Sequence, residues 1–448
     1  MIPESQRGDC SEGPPADTLT VERLVPGGRG FSRDSQGKPV FVRGGLPGDS
    51  IVPSILRDKR SFVEVDEFRL VKQGPQRVPA RCVDEAKCGG CDIMKLSAVG
   101  QAEAKIGMLL EALQRTGGFV SLTHEDIALR SVGAKFDYRL RIRLQVRNGR
   151  IGFFSSASHE LVEVQRCEVA SPPLRQLLNE VRQCIRTDSA AFDSVEAIEL
   201  RALPEGSIAS TPKERDSAYI GLKKGFRSSA ALRAALRCLE HRCLVAFSDQ
   251  RELAPVQKLW VTDDVHVLVP VGGFCQVHPE VNRALIAEVL LLAQEAGARR
   301  FLDLYCGSGN FSLPLGKLGL SGVGVELSRE AIAAAWSGAR AQGLDQLRFF
   351  TDDVGKHANG LVPAGQRFDL VIVDPPRAGA RDICAVLPCL TRGKLILISC
   401  DPVTLARDLR CLVDRGARLE SIQAWDMFPQ THHLETLVVL NCADSGAC

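Results

Sequence analysis

The chain has 448 residues, 45% hydrophobic and 25% charged, with a formal net charge of +2. That composition supports sizeable apolar cores and about three domains. A near-neutral total argues neither for nor against a nucleic-acid partner, so charge is read locally.

The opening stretch, "MIPESQRGDCSEGPPADT", lacks the basic-then-apolar order of a signal peptide, and residues 1–17 are expected to form a disordered polar tail. No apolar run approaches the roughly 18 residues that cross a membrane. A soluble, cytoplasmic protein is expected. Its 16 cysteines then read as thiols, metal ligands or catalysts rather than as a disulfide framework.

Residues 18–72 alternate apolar residues with Gly/Pro turns, as in "TVERLVPGGRGFSRDSQGKPVFVRGGLPGDSIVPSIL", which predicts a small β-barrel over 18–74. A Pro/Gly-containing connector leads into a mixed α+β region over 75–270. There "CVDEAKCGGC" sets Cys82, Cys88 and Cys91 at C-x5-C-x2-C, and Cys167 follows in "VQRCEV", with Cys184 a nearby rival. Three close thiolates plus a distant one have the shape of iron–sulfur ligation, and Gly89 and Gly90 leave amides free for the sulfides. Zinc, which prefers paired knuckles, comes second. Residues 96–118 carry helical periodicity and a Gly-Gly stop, and "PPLRQLLNEVRQCIR" is a second helix. "LRIRLQVRNGRIGFFS" alternates around an Asn-Gly turn, a hairpin signal. Residues 129–150 hold seven basic residues and one acid. Arg139, Arg141, Arg143 and Arg147 share one parity, so a regular strand lines them on one face as a phosphate track. "GLKKGFR" at 221–227 adds a second basic patch.

From 271 the strands "RRFLDLYC", "GVGVEL", "LRFF", "FDLVIVDPP" and "KLILISC" alternate with helical segments, the rhythm of a doubly wound sheet. "LESIQAW" and "HHLETLVVL" have no helix between them and are expected to form a hairpin at one edge. In "FLDLYCGSGNFSLPLG", Gly307 and Gly309 let a ligand approach a helix N-terminus. Ser312 stands where the dinucleotide fingerprint has its third glycine, which disfavours NAD. The Asp303 to Gly309 arrangement resembles the first motif of S-adenosylmethionine methyltransferases. Glu326, ending the next strand, is placed to accept from ribose hydroxyls. Asp353, with Asp352 as competitor, is the acid on the adenine side. Further on, one strand ends at Asp374, the next at Cys400, and Glu435 precedes the last apolar run. Open α/β sheets bind ligands outside the carboxyl ends of their strands, so these three side chains are expected to meet.

Residues 271–448 resemble the RNA uracil-5-methyltransferase family through "FCQVHPEVN", "LDLYCGSGNFSLPL", "VIVDPPRAG", "ISCDPVTLARDL" and "DMFPQTHHLETLVVL". The resemblance implies S-adenosylmethionine-dependent formation of 5-methyluridine in tRNA or large-subunit ribosomal RNA. It implies Cys400 as nucleophile, Glu435 as base, and Gln276, Tyr305, Asn310, Glu326, Asp353 and Asp374 as the cofactor and uracil pocket. The chemistry agrees: uracil C5 is a poor nucleophile until a thiolate adds at C6, and a base must then remove the C5 proton. The sequence departs from the family at Asp401 and His278, where asparagine is usual. Asp401 is expected to oppose the Cys400 thiolate by like charge. It departs again at Leu140, after Tyr138-Arg139. Arg377 stands where amino-methylating enzymes with Asp-Pro-Pro carry a stacking aromatic.

The resemblance also implies a [4Fe–4S] cluster on Cys82, Cys88, Cys91 and Cys167. Residues 18–72 resemble the TRAM domain through "PGGRGFSRD" and "FVRGGLPGDSI", with Arg29, Arg33 and Arg43 as RNA contacts. The expected fold class is therefore α/β: a Rossmann-like methyltransferase domain over 271–448, an OB-like TRAM barrel, and a mixed central domain. The expected partner is RNA, 23S rRNA before tRNA, met by a monomer. The alternatives are the same chemistry on tRNA and a non-catalytic RNA-binding or ribosome-assembly factor.

Overall fold

A computed structural model describes residues 18–156, 158–204, 215–250 and 253–443. The tail expected over 1–17 lies outside them. The chain divides into two compact units, Met1–Pro79 with Lys95–Gly107, and Ala80–Met94 with Met108–Cys448.

The first unit holds strands β1 (Leu19–Thr20), β2 (Arg23–Val25), β3 (Arg29–Arg33), β4 (Pro39–Val42), β5 (Ser50–Asp58) and β6 (Val63–Lys72). They form one six-stranded sheet in the order β1-β5-β6-β4-β3-β2. Val21, Val40, Val42, Ile51 and Val65 fill its interior. The Ser32 hydroxyl donates to Thr20 O at 2.7 Å and Glu22 N–H to Phe31 O at 2.8 Å. These bonds curl the sheet on itself, as the expected barrel requires. Helix α1 (Ala98–Arg115) follows and stops before Gly117 and a left-handed Gly118, as its sequence predicts.

In the second unit β7 (Ile127–Arg130) precedes β8 (Arg141–Arg147), β9 (Arg150–Phe154), β10 (Leu161–Val162), α2 (Pro172–Thr187), β11 (Val195–Arg201), β12 (Asp216–Leu222), α3 (Ala230–Leu236) and β13 (Cys243–Phe247). All but β7 build a second six-stranded sheet, β10-β9-β8-β11-β12-β13, whose apolar face packs on α2 and α3. Asn148 and Gly149 both have positive φ, the requirement of the tight hairpin turn read from their sequence. The hairpin β14 (Val256–Trp260) and β15 (His266–Pro270) then leads to α4 (Pro279–Glu295).

The remaining elements are β16 (Arg300–Leu304), α5 (Ser312–Lys317), β17 (Ser321–Glu326), α6 (Arg329–Ala341), β18 (Leu347–Thr351), α7 (Val354–Leu361), β19 (Phe368–Val373), α8 (Leu387–Leu390), β20 (Thr391–Ser399), α9 (Pro402–Asp414), β21 (Arg418–Trp425) and β22 (Glu435–Asn441). They build an eight-stranded sheet ordered β18-β17-β16-β19-β20-β22-β21-β7. The strands from β18 to β20 are parallel, and β22 runs antiparallel between β20 and β21. The strand order reverses between β16 and β19, which opens the crevice where such sheets bind ligands. The expected hairpin of β21 and β22 forms, but it does not end the sheet. The four-residue strand β7, from the region read as central domain, pairs with β21 and covers its open edge.

Candidate active site

The crevice begins where β16 ends. Tyr305, Gly307 and Gly309 have positive φ, so the chain turns sharply before α5. A Cβ on Gly307 meets no atom within 4 Å, whereas one on Gly309 lies 2.9 Å from Leu313 Cγ. The first glycine faces open space and the second permits close packing of the helix. Asp303, fully buried on β16, accepts a 2.5 Å hydrogen bond from the Ser312 hydroxyl, while its Oδ1 has no partner. Burial pushes its carboxyl up to about 7. The serine at the fingerprint's third-glycine position thus holds the motif's acid. Glu326 ends β17 and accepts from Ser328 N at 2.9 Å. Asp353 caps α7 through Lys356 N at 2.8 Å and remains exposed, while Asp352 pairs with His357 Nδ1 at 3.1 Å. Asn310 is closed in a reciprocal amide pair with Asn282, both bonds 3.0 Å. Gln276 is half-buried two residues after the exposed Phe274.

Three strand ends converge on the chemistry. Ser399 of β20 pairs with Thr436 of β22, so the next cross-strand positions are Cys400 and Glu435. Glu435 is buried, 3% exposed. Burial, and then the charge of Asp374, hold its carboxyl well above the usual carboxylate range. Asp374 itself is pushed up to about 7 by burial and by Asp303. Burial first, and then Glu435, push the Cys400 thiol up to about 11, with Asp374 adding to the rise. The charge of Arg377 acts the other way.

The two departures at Asp401 and His278 turn out to be structural. The Asp401 carboxylate caps α9, accepting from Val403 N at 3.0 Å and Thr404 N at 2.9 Å. The anticipated opposition to the thiolate therefore comes from Glu435 and Asp374, not from Asp401. His278 is fully buried, stacks on Tyr138 with ring centroids 4.5 Å apart, and makes a 3.0 Å Nε2 contact with Ala134 O.

Cys82, Cys88, Cys91 and Cys167 line one cavity with Met94, Arg139, Ile142, Phe153, Val164 and Val169. Cys184 instead lies in α2, its sulfur 2.8 Å from that of Cys238, so Cys167 is the residue that joins the three. The Gly90 amide contacts Cys88 Sγ at 3.4 Å, but the Gly89 amide is taken by Phe154 O at 3.0 Å, so only one of the two expected amides faces sulfur. Among the described residues no group of three or more His, Cys, Asp or Glu is arranged to hold a metal ion.

Arg141, Arg143 and Arg147 lie on the outward face of β8, as their parity predicts. Arg139 precedes the strand and turns to the cysteine cavity instead. Arg141 is paired with Glu199 at 2.7 Å, which leaves Arg143 as the exposed cation nearest the strand centre. In the barrel Arg29 is bound to Glu64 at 2.7 Å and Arg43 to Asp66 at 2.6 Å, whereas Arg33 is exposed. No helix among the described residues is long and apolar enough to cross a membrane.

A doubly wound sheet with an open glycine turn at its switch point and a thiol, an acid and a guanidinium at its carboxyl edge defines a methyltransferase of the Rossmann-like class. The profile of the tRNA (uracil-5-)-methyltransferase family matches residues 256–443. The 23S rRNA (uracil(1939)-C(5))-methyltransferase RlmD of Shewanella sp. strain W3-18-1 is 30% identical over 441 residues, 94% of this chain and 95% of the relative. Its namesake from Chromohalobacter salexigens is 33% identical over 95% of this chain and 89% of the relative. A Pyrococcus abyssi tRNA (uracil-54, C5)-methyltransferase, solved with S-adenosyl-L-homocysteine, shares the fold with a TM-score of 0.71 at 22% identity, over 94% of this chain and all of that one. The chain belongs to the RNA uracil-5-methyltransferase family.

Proposed function

We propose that the protein methylates C5 of a uridine in 23S rRNA, using S-adenosylmethionine. The observation that carries this reading is the cross-strand placement of Cys400 beside Glu435, with Asp374 and Arg377 at the same edge. The substrate follows from the two bacterial relatives that match nearly the whole chain.

The residues present fit the cofactor: Gly307 opens the turn, Glu326 and Asp353 sit at successive strand ends, and Asp303 keeps an unpartnered buried oxygen beneath them. When bound, S-adenosylmethionine supplies an electrophilic methyl group on a sulfonium sulfur. Cys400 adds as thiolate to uracil C6, and the displaced electron pair makes C4–C5 an enolate. C5 then takes the methyl group. Glu435 removes the C5 proton, the C5–C6 double bond re-forms, and the Cys400 thiolate leaves. A carboxylate made more basic by burial suits that proton. Asp374 and Gln276 are assigned to uracil N3–H and a carbonyl. Tyr305 lines the cofactor side, and Asn310 acts there through its pairing with Asn282. Because C5 and C6 are inaccessible in a stacked helix, the uridine is taken from a loop or flipped out. Arg143 and Arg33 are the exposed cations assigned to the RNA backbone. In this reading the barrel over 18–74 and the central region over 75–270 hold RNA for the domain over 271–448.

The four cavity cysteines are assigned to a resident [4Fe–4S] cluster; the shared, mostly apolar cavity and the contact of an amide with Cys88 suit it. It enters no step above. Iron and acid-labile sulfide in equal amounts, lost in Cys91→Ser, are expected; stoichiometric zinc without sulfide would replace this assignment.

The function is tested by incubating the protein and S-adenosylmethionine with unmodified 23S rRNA or tRNA and mapping fragments by mass spectrometry. A methyl group on an rRNA uridine, lost in Cys400→Ala, is expected. Methylation of tRNA alone would overturn the substrate, and methylation of neither would overturn the function.

A further inference from the structure

The loop joining β21 to β22, residues 426–434, carries the chain into Glu435, and it is held from outside itself. Gln430 is buried with φ of 71°, a conformation that a non-glycine residue keeps only when its surroundings enforce it. The Gln430 side chain donates to Lys135 O at 3.2 Å, and the Tyr138 hydroxyl donates to Pro429 O at 3.1 Å. The other side of the loop is held by the cysteine-rich segment. Ile93 N–H donates to Gln430 O at 3.3 Å. Asp92, which directly follows Cys91, accepts from His432 N–H at 2.7 Å through Oδ1 and pairs with His432 Nδ1 through Oδ2. One carboxylate therefore fixes both the backbone and the ring of His432. The His432 ring lies 4.1 Å from that of His433, and His433 Nε2 lies 3.3 Å from Arg377 Nη2. Arg377 is the cation that opposes the rise of the Cys400 thiol.

We infer that Asp92 is a positioning residue for methyl transfer: by clamping His432 it holds the loop that sets His433 against Arg377 and Arg377 against Cys400. The contacts run from the residue after Cys91 to Arg377, the cation whose charge acts on the Cys400 sulfur. The clamp ends on the group beside the proposed nucleophile, so it is expected to act on the chemical step rather than on binding. The inference rests on the roles proposed above for Cys400 and Glu435. It also gives the cysteine-rich segment a use that needs no electron transfer, since a segment fixed by its thiols is a firm base for the clamp.

The test compares Asp92→Ala, Asp92→Asn and His432→Ala in the full-length protein. His432→Ala cuts the same contact from the loop side and leaves the cysteine segment intact, so it decides the matter if Asp92→Ala fails to fold or loses metal. In both alanine variants kcat is expected to fall about tenfold to a hundredfold, the loss that misplaced groups cause. KM for RNA is expected to stay within about twofold. Asp92→Asn keeps an acceptor for His432 N–H and is expected to recover most of the loss. Alkylation of the Cys400 peptide, followed by mass spectrometry without RNA or cofactor, is expected to slow in both alanine variants. Unchanged kcat and unchanged alkylation in His432→Ala would overturn the inference, as would a loss shared equally by kcat and KM. Native protein that methylates no RNA, with alkylation still slowed in the variants, would instead overturn the proposed function and leave the clamp standing.

Discussion

Cys400, the proposed nucleophile, is placed among groups that resist its ionisation. Burial and the two acids raise its thiol to about 11, and Arg377 alone among the named neighbours opposes them. The free thiol is therefore expected to react slowly near neutral pH, with an alkylation rate that climbs roughly tenfold per pH unit toward its pKa, since only the thiolate attacks. Arg377→Met removes the one opposing charge and is expected to slow alkylation of the Cys400 peptide at every pH below that value; an unchanged rate would remove Arg377 from the site. Glu435→Gln is expected to leave C6 addition intact and block loss of the C5 proton. Turnover then falls by about 10²–10⁴-fold while a covalent protein–RNA adduct builds up, visible as a heat-stable slow band on a denaturing gel. Free turnover with no adduct would assign the base elsewhere. The proposed nucleophile and base were legible in the sequence because one follows the last residue of a strand and the other opens a strand, each in a motif with fixed spacing. Arg377 was legible as an oddity only, since sequence reads a missing aromatic more readily than a charge acting on a residue 23 positions on.

At the scale of elements, short polar side chains do work that their sequence position disguises. Asp401 follows Cys400 and reads as an electrostatic liability, yet its carboxylate satisfies the first amides of α9. Asp401→Ala is expected to cost about 1 kcal/mol of stability in denaturant unfolding. It is also expected to leave the alkylation rate of Cys400 unchanged, whereas faster alkylation would restore the repulsive role. Gly89 packs so closely on β9 that an added Cβ meets Phe154 O at 2.9 Å and the Ser156 backbone at 3.1 Å. Gly89→Val is accordingly expected to push the cysteine loop off β9 and, if the proposed cluster is bound there, to lower iron per chain without changing the barrel. Helices α1 and α2, the Asn-Gly hairpin and the five parallel strands were all readable, because periodicity and turn chemistry are local. Strand β7 was not. Four residues, "IALR", carry too little pattern to announce a partner almost 300 positions away, and only the open edge of β21 explains their pairing. The clamp between Asp92 and His432 escaped for the same reason: its two ends lie 340 positions apart.

For the molecule as a whole, the crevice concentrates acids whose carboxyls folding makes harder to ionise, and this sets a direction for stability against pH. Asp303, Asp374 and Glu435 ordinarily titrate near pH 4 in an unfolded chain. Folding raises all three through burial, Asp303 and Asp374 to about 7. The folded state then binds protons that the unfolded state has lost, so their contribution is complete below about pH 4; that of Asp303 and Asp374 disappears as pH rises through about 7, and that of Glu435 as pH rises through its own raised pKa. Carboxylates outside the crevice act in the opposite sense. Asp369 and Glu420 are lowered by hydrogen bonds to Arg392 and Lys394, and their contribution is present above about pH 4 and lost in acid. The two sets leave a stability maximum between them, on the mildly acidic side of neutrality. The thermal midpoint of the cofactor-free protein is expected to fall from about pH 5.5 to pH 8.5, and Asp374→Asn, which stays neutral, is expected to flatten that fall. A midpoint that rises across the range, or an identical slope in the variant, would show that the crevice acids ionise freely on folding. A flattened slope would mean that the fold keeps its site poised at a standing cost near neutral pH, one that a cationic ligand relieves by letting the acids ionise.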